Sequence, residues 1–396
     1  MLGRYVLAVI AIFLCSTLAW IVLGASIFAR TNDAGSGLGP AVESAWGSPQ
    51  EQTPPEASTS QTVQRDEHTS EVVTTVLPVE RSRIRVAFDL DQRQKGLLWF
   101  ATYRVDFRGD YVVRNTTAQD EVTVKLVFPA PQAIYDDLVL RIDGQPVPTR
   151  TEKGSVTAVV RRPPGAAIRI ETGYKSQGLG TWKYSFGKDV SQVHDFLLEM
   201  QTNFRAIDFP QGSLSPTMKK QTPTGWLLTW KYANVVSGYG IGMVMPEKLQ
   251  PGPLAGRISM FAPVSLLFFF FFMFVITTLR KIELHPMHYF FLATSFFAFH
   301  LLLAYLVDHI SIHAAFLISS AVSIFLVVSY LRIVVNARFA LREAALSQFV
   351  YLVLFSYAFF FKGFTGLAIT IGAIVSLFAA MQITARVPWG RDNRAA

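Results

Sequence analysis

Two hydrophobic periodicities divide the chain. In six stretches apolar residues run almost without interruption: 5–29, 258–279, 288–307, 312–331, 345–361 and 364–384. Each is near the ~20 residues a helix needs to cross a hydrocarbon core, so six spanning helices are expected, one before a long insertion and five after it. The fifth run is the shortest. LFFFFF at 267–272 is by itself compatible with a buried strand, but the length and flanks of the run favour a helix.

Within the insertion the period drops to two. In EVTVKLVF, Val122, Val124, Leu126 and Phe128 alternate with Glu121, Thr123 and Lys125. LVLRIDG closes on the turn signal Asp143-Gly144, and SVTAVV, IRIETGY, FLLEMQTNF and WLLTWKYANVV add further short runs. No long segment of helical period intervenes. The pattern predicts an all-β domain over 76–255, an antiparallel β-sandwich. Trp182, Trp226 and Trp230 are expected to pack in or near its core. Arg108-Gly109-Asp110 is expected to form a tight turn or bulge, and Gly238 to Gly242 a strand or loop. Asn115-Thr116-Thr117 has the form of a glycosylation acceptor.

Residues 31–75 follow neither period. TNDAGSGLGP and SPQEQTPPEASTSQT are rich in small and polar residues and poor in large apolar ones, so this segment is expected to be a flexible, disordered linker. The expected domains are thus an anchor (1–30), the linker (31–75), the β domain (76–255) and a five-helix membrane domain with a short cytoplasmic tail (256–396).

Charge sets the orientation. With the N-terminus in the cytoplasm, Arg4, Arg280, Lys281, Arg332, Arg338, Arg342, Arg386, Arg391 and Arg394 all lie inside, and Lys362 is the basic residue of the short outer loops. Six crossings then put both termini in the cytoplasm and residues 30–257 outside. The formal charge of +8 does not point to nucleic acid, because much of the excess flanks the apolar runs. The first run is longer than the apolar part of a signal peptide, and Ile27 spoils a cleavage site at Ala29, so it reads as an uncleaved anchor. The single cysteine, Cys15, lies inside that run after Leu14, which suits burial rather than lipidation and excludes an intrachain disulfide.

Candidate chemistry concentrates in ELHPMHYFFLATSFFAFHLLLAYLVDHI, residues 283–310. Pro286 suits a first helical turn, placing His285 just before the helix and Tyr289 near an interface. His300 falls at membrane depth on a face with Ala293 and Ala304. There it is expected to hydrogen-bond a neighbouring helix, at Ser319, Ser320, Ser323 or Gln348. Asp308 and His309 mark the outer water interface and suit a structural or docking role. His285 and His288 are three residues apart, but no further metal ligand lies near them in sequence. No HExxH, GxSxG, P-loop or cysteine pair occurs. No catalytic, cofactor-binding or metal-ligating residue and no cofactor is therefore assigned. The NARFALREAAL segment at 336–346 reads as a basic connector.

With these residues in place, the stretch ELHPMHYFFLATSFFAFHLLLAYLVDHISIHAAFLISSA resembles the membrane core of the CreD family of bacterial inner-membrane proteins. The resemblance rests on Leu284, His285, Pro286, Tyr289, Leu301 to Leu303, Asp308 and His309. The closing TARVPW is similar to the family's last helix end, with Arg386 and Trp389 in the basic and tryptophan places. It spans about residues 280–390 and extends more faintly to DFPQGSLSPTMKKQTPTGWLLTW at 208–230. The chain departs from the family at Asp308, where glutamate is usual; at Lys362-Gly363, where an acidic pair is common; and at His300, where an aromatic is common. The resemblance implies a bacterial inner-membrane protein tied to cell-envelope integrity and stress responses.

The expected function is therefore non-enzymatic, with the lipid bilayer and an envelope protein or cell-wall component as partners. A small-solute transporter or channel, suggested by His300 and the serine-rich fourth span, is one alternative. A membrane enzyme acting on lipid or cell-wall material, suggested by Asp308 and His309, is another.

Overall fold

The computed structural model describes residues 2–66, 69–95, 98–187, 191–361 and 363–385. It divides into a helical unit, built mainly from the residues up to 36 and from 249 onward, and a β unit between them.

Six helices are long and apolar enough to cross a membrane. They are α1 (Leu2–Trp46), α2 (Pro251–Leu279), α3 (Pro286–Leu306), α4 (Ile312–Val334), α5 (Ala337–Phe360) and α6 (Thr365–Thr384). Proline occupies the first turn of both α2 and α3, where its missing N–H costs no intrahelical bond. α2 ends as Lys281 takes a left-handed conformation (φ 54°) and donates its N–H to the Thr278 carbonyl. α5 is irregular: Ala340–Ala344 and Phe349–Leu354 are π-helical, and Ala358–Phe360 closes it as a 3-10 turn. One apolar cluster joins these helices, with Phe269, Phe296, Phe299 and Leu352 at its centre. α1 packs tightly on α2 at glycines. A Cβ at Gly24 would stand 2.7 Å from the Met260 sulfur, and one at Gly256 3.0 Å from the Phe28 ring.

The β unit begins with β1 (Gln50–Gln52), β2 (Glu56–Asp66), β3 (Thr69–Val76), β4 (Val79–Leu90), β5 (Arg93–Lys95) and β6 (Leu98–Phe100). It continues with β7 (Thr102–Arg114), β8 (Glu121–Val127), β9 (Tyr135–Ile142), β10 (Gln145–Pro146), β11 (Arg150–Glu152) and β12 (Ser155–Arg161). The last six are β13 (Ala167–Leu179), β14 (Thr181–Tyr184), β15 (Ser191–Thr202), β16 (Met218–Gln221), β17 (Trp226–Ser237) and β18 (Ile241–Val244).

An eight-stranded sheet runs β10-β9-β13-β7-β4-β15-β17-β16, a five-stranded sheet β11-β12-β8-β2-β3, and a three-stranded sheet β1-β14-β18. Their inner faces share one core. Phe107, Tyr111 and Ile170 come from the large sheet, Val122, Val124 and Val156 from the five-stranded sheet, and Trp182 and Met243 from the third. This is the expected sandwich, with two departures from antiparallel pairing: β15 runs parallel to β4, and β1 parallel to β14. Trp182 and Trp230 are fully buried, and the Trp226 and Trp230 indoles donate to the Arg205 and Leu214 carbonyls.

Three expectations change. The segment 31–75 is not a featureless linker: α1 continues to Trp46, through Pro40, and β1, β2 and β3 follow. Backbone pairing needs no apolar run, and here polar side chains do the inward work. The Gln50 amide donates to Ser176 Oγ and to the Gln177 carbonyl, both at 2.9 Å. Gln52 accepts from the Tyr174 hydroxyl at 2.8 Å, and Ala57 and Thr59 face inward from β2. Hydrophobic periodicity is blind to such a strand.

Arg108-Gly109-Asp110 is neither turn nor bulge but the middle of β7, paired with Thr172 and Ile84 at its glycine. Glycine is required because the Tyr111 ring folds back over it, 2.5 Å from where a Cβ would stand. Asn115 has no side-chain freedom for glycosylation in the folded chain. It is fully buried, its Nδ2 donates to the Gln119 and Arg162 carbonyls, and its Oδ1 accepts from Thr117.

Candidate functional site

The predicted residues line α3 from one end to the other. At its start His285 is the N-cap, with extended backbone, and its ring Nδ1 accepts from the Met287 N–H at 3.3 Å. Pro286 takes the first helical position. One turn on, His288 Nδ1 lies 2.6 Å from the Tyr330 hydroxyl of α4. His285 and His288 thus have separate partners, and their rings stand 6.4 Å apart. Tyr289 is buried edge-on against Tyr5 of α1 and Phe270 of α2, with ring centroids at 6.3 and 5.2 Å. Its hydroxyl has no hydrogen-bond partner among the described residues.

His300 differs from the expectation. It is fully buried, but it makes no hydrogen bond to Ser319, Ser320, Ser323 or Gln348. Its Nδ1 donates within its own helix to the Phe296 carbonyl at 2.9 Å, and Nε2 has no hydrogen-bond partner among the described residues. The ring faces α1 rather than α4, edge-on to Trp20 at 5.6 Å. Trp20 is itself wholly buried and also packs edge-on against Phe297 at 5.7 Å. Besides His288–Tyr330, a second polar contact joins α3 and α4 away from His300. Gln348 Nε2 of α5 donates to Ser323 Oγ at 2.8 Å, and Ser323 Oγ donates to the Ser295 carbonyl at 2.6 Å. An interhelical hydrogen-bond chain does exist, but a helical face away from His300 carries it.

At the far end, Asp308 pairs with Arg30 of α1 rather than with His309. Arg30 Nη1 is 3.0 Å from Asp308 Oδ2, while Nη2 donates to the Ala304 carbonyl at 2.9 Å and lies 3.4 Å from Asp308 Oδ1. The guanidinium also sits over the Tyr305 ring, 5.6 Å from its centroid. The cation therefore satisfies a carbonyl in the last turn of α3 and the carboxylate beyond it, where the helix dipole is negative. His309 is exposed, and its N–H caps the Leu306 carbonyl. His313 packs its ring on Phe360 at 5.2 Å. Arg386 and Trp389 lie outside the described residues.

The structure thus separates the candidates into three stations, a capped start, a buried ring against α1 and an ion-paired end, and does not gather them around one point. Among the described residues no group of three His, Cys, Asp or Glu side chains converges. Tyr289, His300 and Asp308 each meet α1, so the first helix is fastened along the whole length of the third. Sequence reasoning missed the two residues of α1 that complete this seam, Trp20 and Arg30. The available signal was topological. In a six-span reading Arg30 and Asp308 fall at the same interface, and a polar ring at membrane depth calls for an aromatic or polar neighbour.

The family described as Inner membrane protein CreD matches residues 212–390, from just before β16 through all five later helices. Residues 212–390 are CreD-like. The α3 seam lies wholly inside this segment on one side, and its α1 partners lie outside it on the other. The family so described is one of inner-membrane proteins, and six helices of this chain are long and apolar enough to cross a membrane. No curated protein matches the chain. Among solved structures, one from Legionella pneumophila described as a nutrient binding protein is 9% identical, with a TM-score of 0.36, over 56% of this chain and 76% of that one. An M1 zinc metallopeptidase from Deinococcus radiodurans is 11% identical, with a TM-score of 0.28, over 42% of each chain. The chain spans less than half of that enzyme, and neither likeness bears on function.

Proposed function

We propose that this CreD-like protein is a non-enzymatic component of the cell envelope. Its β unit engages an envelope protein or cell-wall component, and its six helices hold that unit at the inner membrane, in support of envelope integrity or a stress response. The observation that carries the reading is the insertion of a β unit with its own core between the first and second apolar helices. The seam of α1 on α3 supports it, because that contact is suited to holding an anchor rather than to chemistry.

Both termini lie in the cytoplasm in this reading, with residues 30–257 in the periplasm. Arg280, Lys281, Arg332, Arg338 and Arg342 then share the cytoplasmic side with Arg4. In a Cys15→Ser background, a membrane-impermeant maleimide added to intact cells should label Lys153→Cys and spare Arg338→Cys; the opposite pattern overturns the orientation. Replacing residues 50–248 by a flexible linker should leave the helices inserted and abolish the envelope phenotype of the parent strain. Full function after that replacement overturns the role given to the β unit.

A further inference from the structure

The outer face of the eight-stranded sheet holds an open cleft of about 710 Å³. One row of residues crosses its floor in register: Val139 on β9, Gly173 on β13, Arg108 on β7, Arg85 on β4 and Glu199 on β15. Arg85 and Arg108 are direct cross-strand partners. Like charges in that relation destabilise a sheet, and their placement here calls for a reason.

Elsewhere in the cleft such conflicts are resolved. Asp110 and Glu171 are also direct partners, but Arg169 bridges them, with Nε 3.0 Å from Asp110 Oδ2 and Nη2 3.4 Å from Glu171. Lys175 is paired with Asp137 at 2.7 Å, and Arg83 with Asp195 at 2.6 Å. Among the described residues no carboxylate bridges the two arginines. Arg108 uses only Nε, 3.2 Å from Asp106, and Arg85 only Nε, at a loose 3.8 Å from Glu199. Their side chains are 73% and 82% exposed, and their terminal nitrogens make no hydrogen bond among the described residues. Beside Arg108 the row is empty of side chain. A Cβ at Gly173 would meet the Phe107 carbonyl at 3.3 Å and Arg108 Cγ at 3.8 Å, so the glycine leaves a trough between Arg108 and Val139.

We propose that this trough binds a phosphate dianion, free or as a phosphomonoester. Two guanidinium groups side by side supply two positive charges and unused N–H forks that match phosphate oxygens. The dianion bridges the arginines as Arg169 bridges the acids, and so relieves their repulsion. The flanking carboxylates of Glu199 and Asp106 select a compact anion and repel a long polyanion such as nucleic acid. This deepens the proposed function by naming a chemistry the β unit recognises. It needs neither the orientation nor the envelope role, so its failure leaves that reading intact.

The test uses the full chain in phosphatidylcholine nanodiscs, titrated calorimetrically with inorganic phosphate and with glycerol 3-phosphate. A parallel arm measures capture of the nanodiscs by vesicles with and without phosphatidic acid. Saturable binding is expected in at least one arm. Binding in the soluble arm identifies a free phosphate or phosphomonoester, and binding in the vesicle arm alone a lipid headgroup. Arg85→Gln or Arg108→Gln should weaken it at least about tenfold. Gly173→Val should weaken it by filling the trough. Glu199→Gln should strengthen it, and Arg150→Gln, paired with Glu152 on β11, should leave it unchanged. Without ligand, Arg108→Gln should unfold at the same temperature as the parent or higher, because a like-charge contact is gone. No binding in either arm, binding by Arg85→Gln and Arg108→Gln equal to the parent's, or an Arg108→Gln variant that unfolds earlier than the parent overturns the proposal.

Discussion

Replacing Arg30 by methionine removes the cation that joins α1 to the end of α3 but keeps most of its aliphatic length. The two partners of the ion pair are not equivalent. Asp308 contributes the pair itself. Arg30 contributes the pair, a charged hydrogen bond to the Ala304 carbonyl at 2.9 Å and a contact over the Tyr305 ring. Both side chains are partly open, at 37% and 19% exposure, so the pair alone contributes about 1 kcal/mol. The hydrogen bond from a charged donor adds about 1.5–3 kcal/mol and the ring contact about 0.5–1 kcal/mol. Asp308→Asn should therefore cost about 1 kcal/mol and Arg30→Met about 3–5 kcal/mol. The double variant should match Arg30→Met within about 0.5 kcal/mol, because the carboxylate has nothing left to lose. Cys15, the single cysteine, is exposed on α1 rather than buried as its apolar surroundings in sequence suggested, and it takes an environment-sensitive fluorophore that reports release of the helix during detergent-induced unfolding. Equal losses in the two single variants would show that the carbonyl contact carries nothing. Strict additivity in the double variant would refute the coupling of Arg30 to Asp308.

Other consequences follow from particular contacts. Gln52→Leu strands the Tyr174 hydroxyl in the core and should destabilise the β unit by about 1–3 kcal/mol in chemical denaturation; adding Tyr174→Phe should recover part of the loss. Gly256→Leu forces the Phe28 ring away and should release α1, read by the same Cys15 label, while leaving the melting of the β unit unchanged. The Arg114 guanidinium grips both oxygens of Glu80, at 2.6 and 3.1 Å, and holds its carboxyl below the usual value of 4.5. The native state then binds fewer protons than the unfolded chain. The contribution is complete above the usual value and vanishes as pH falls through the lowered one. Melting curves of the parent and Glu80→Gln should differ near neutrality and converge in acid; a constant gap would contradict this.

The candidate positions of α3 were legible because each is a polar mark on an apolar run. His285 and Pro286 were readable as a helix start, and Asp308 as the water interface, from position alone. The partners were not. Whether His300 faces α4 or α1 depends on the rotation of α3, and an apolar run nearly uniform around its circumference does not encode that rotation. For the same reason Ser323 and Gln348 were recognised as candidate partners but assigned to the wrong donor, when the Ser295 carbonyl was the acceptor waiting for them. Along the β unit, strands with alternating apolar residues were visible, while β1, β2 and β3 were mistaken for a linker because their inward contacts are made by Gln50, Gln52 and Thr59.

By itself, then, the order of residues determined the six apolar helices, the sandwich between the first and second, and the CreD-like layout of the later ones. These follow from length, period and flanking charge, all properties of the chain read in one dimension. Only the tertiary structure decided that α1 is riveted to α3 by Trp20 and Arg30, that a polar segment completes two sheets, and that Arg85 and Arg108 meet across a sheet. Helix rotation and strand register are set by the sum of many contacts distant in sequence. A one-residue change in register would send Arg85 and Arg108 to the opposite face, and no local pattern reveals which partner lies across from them.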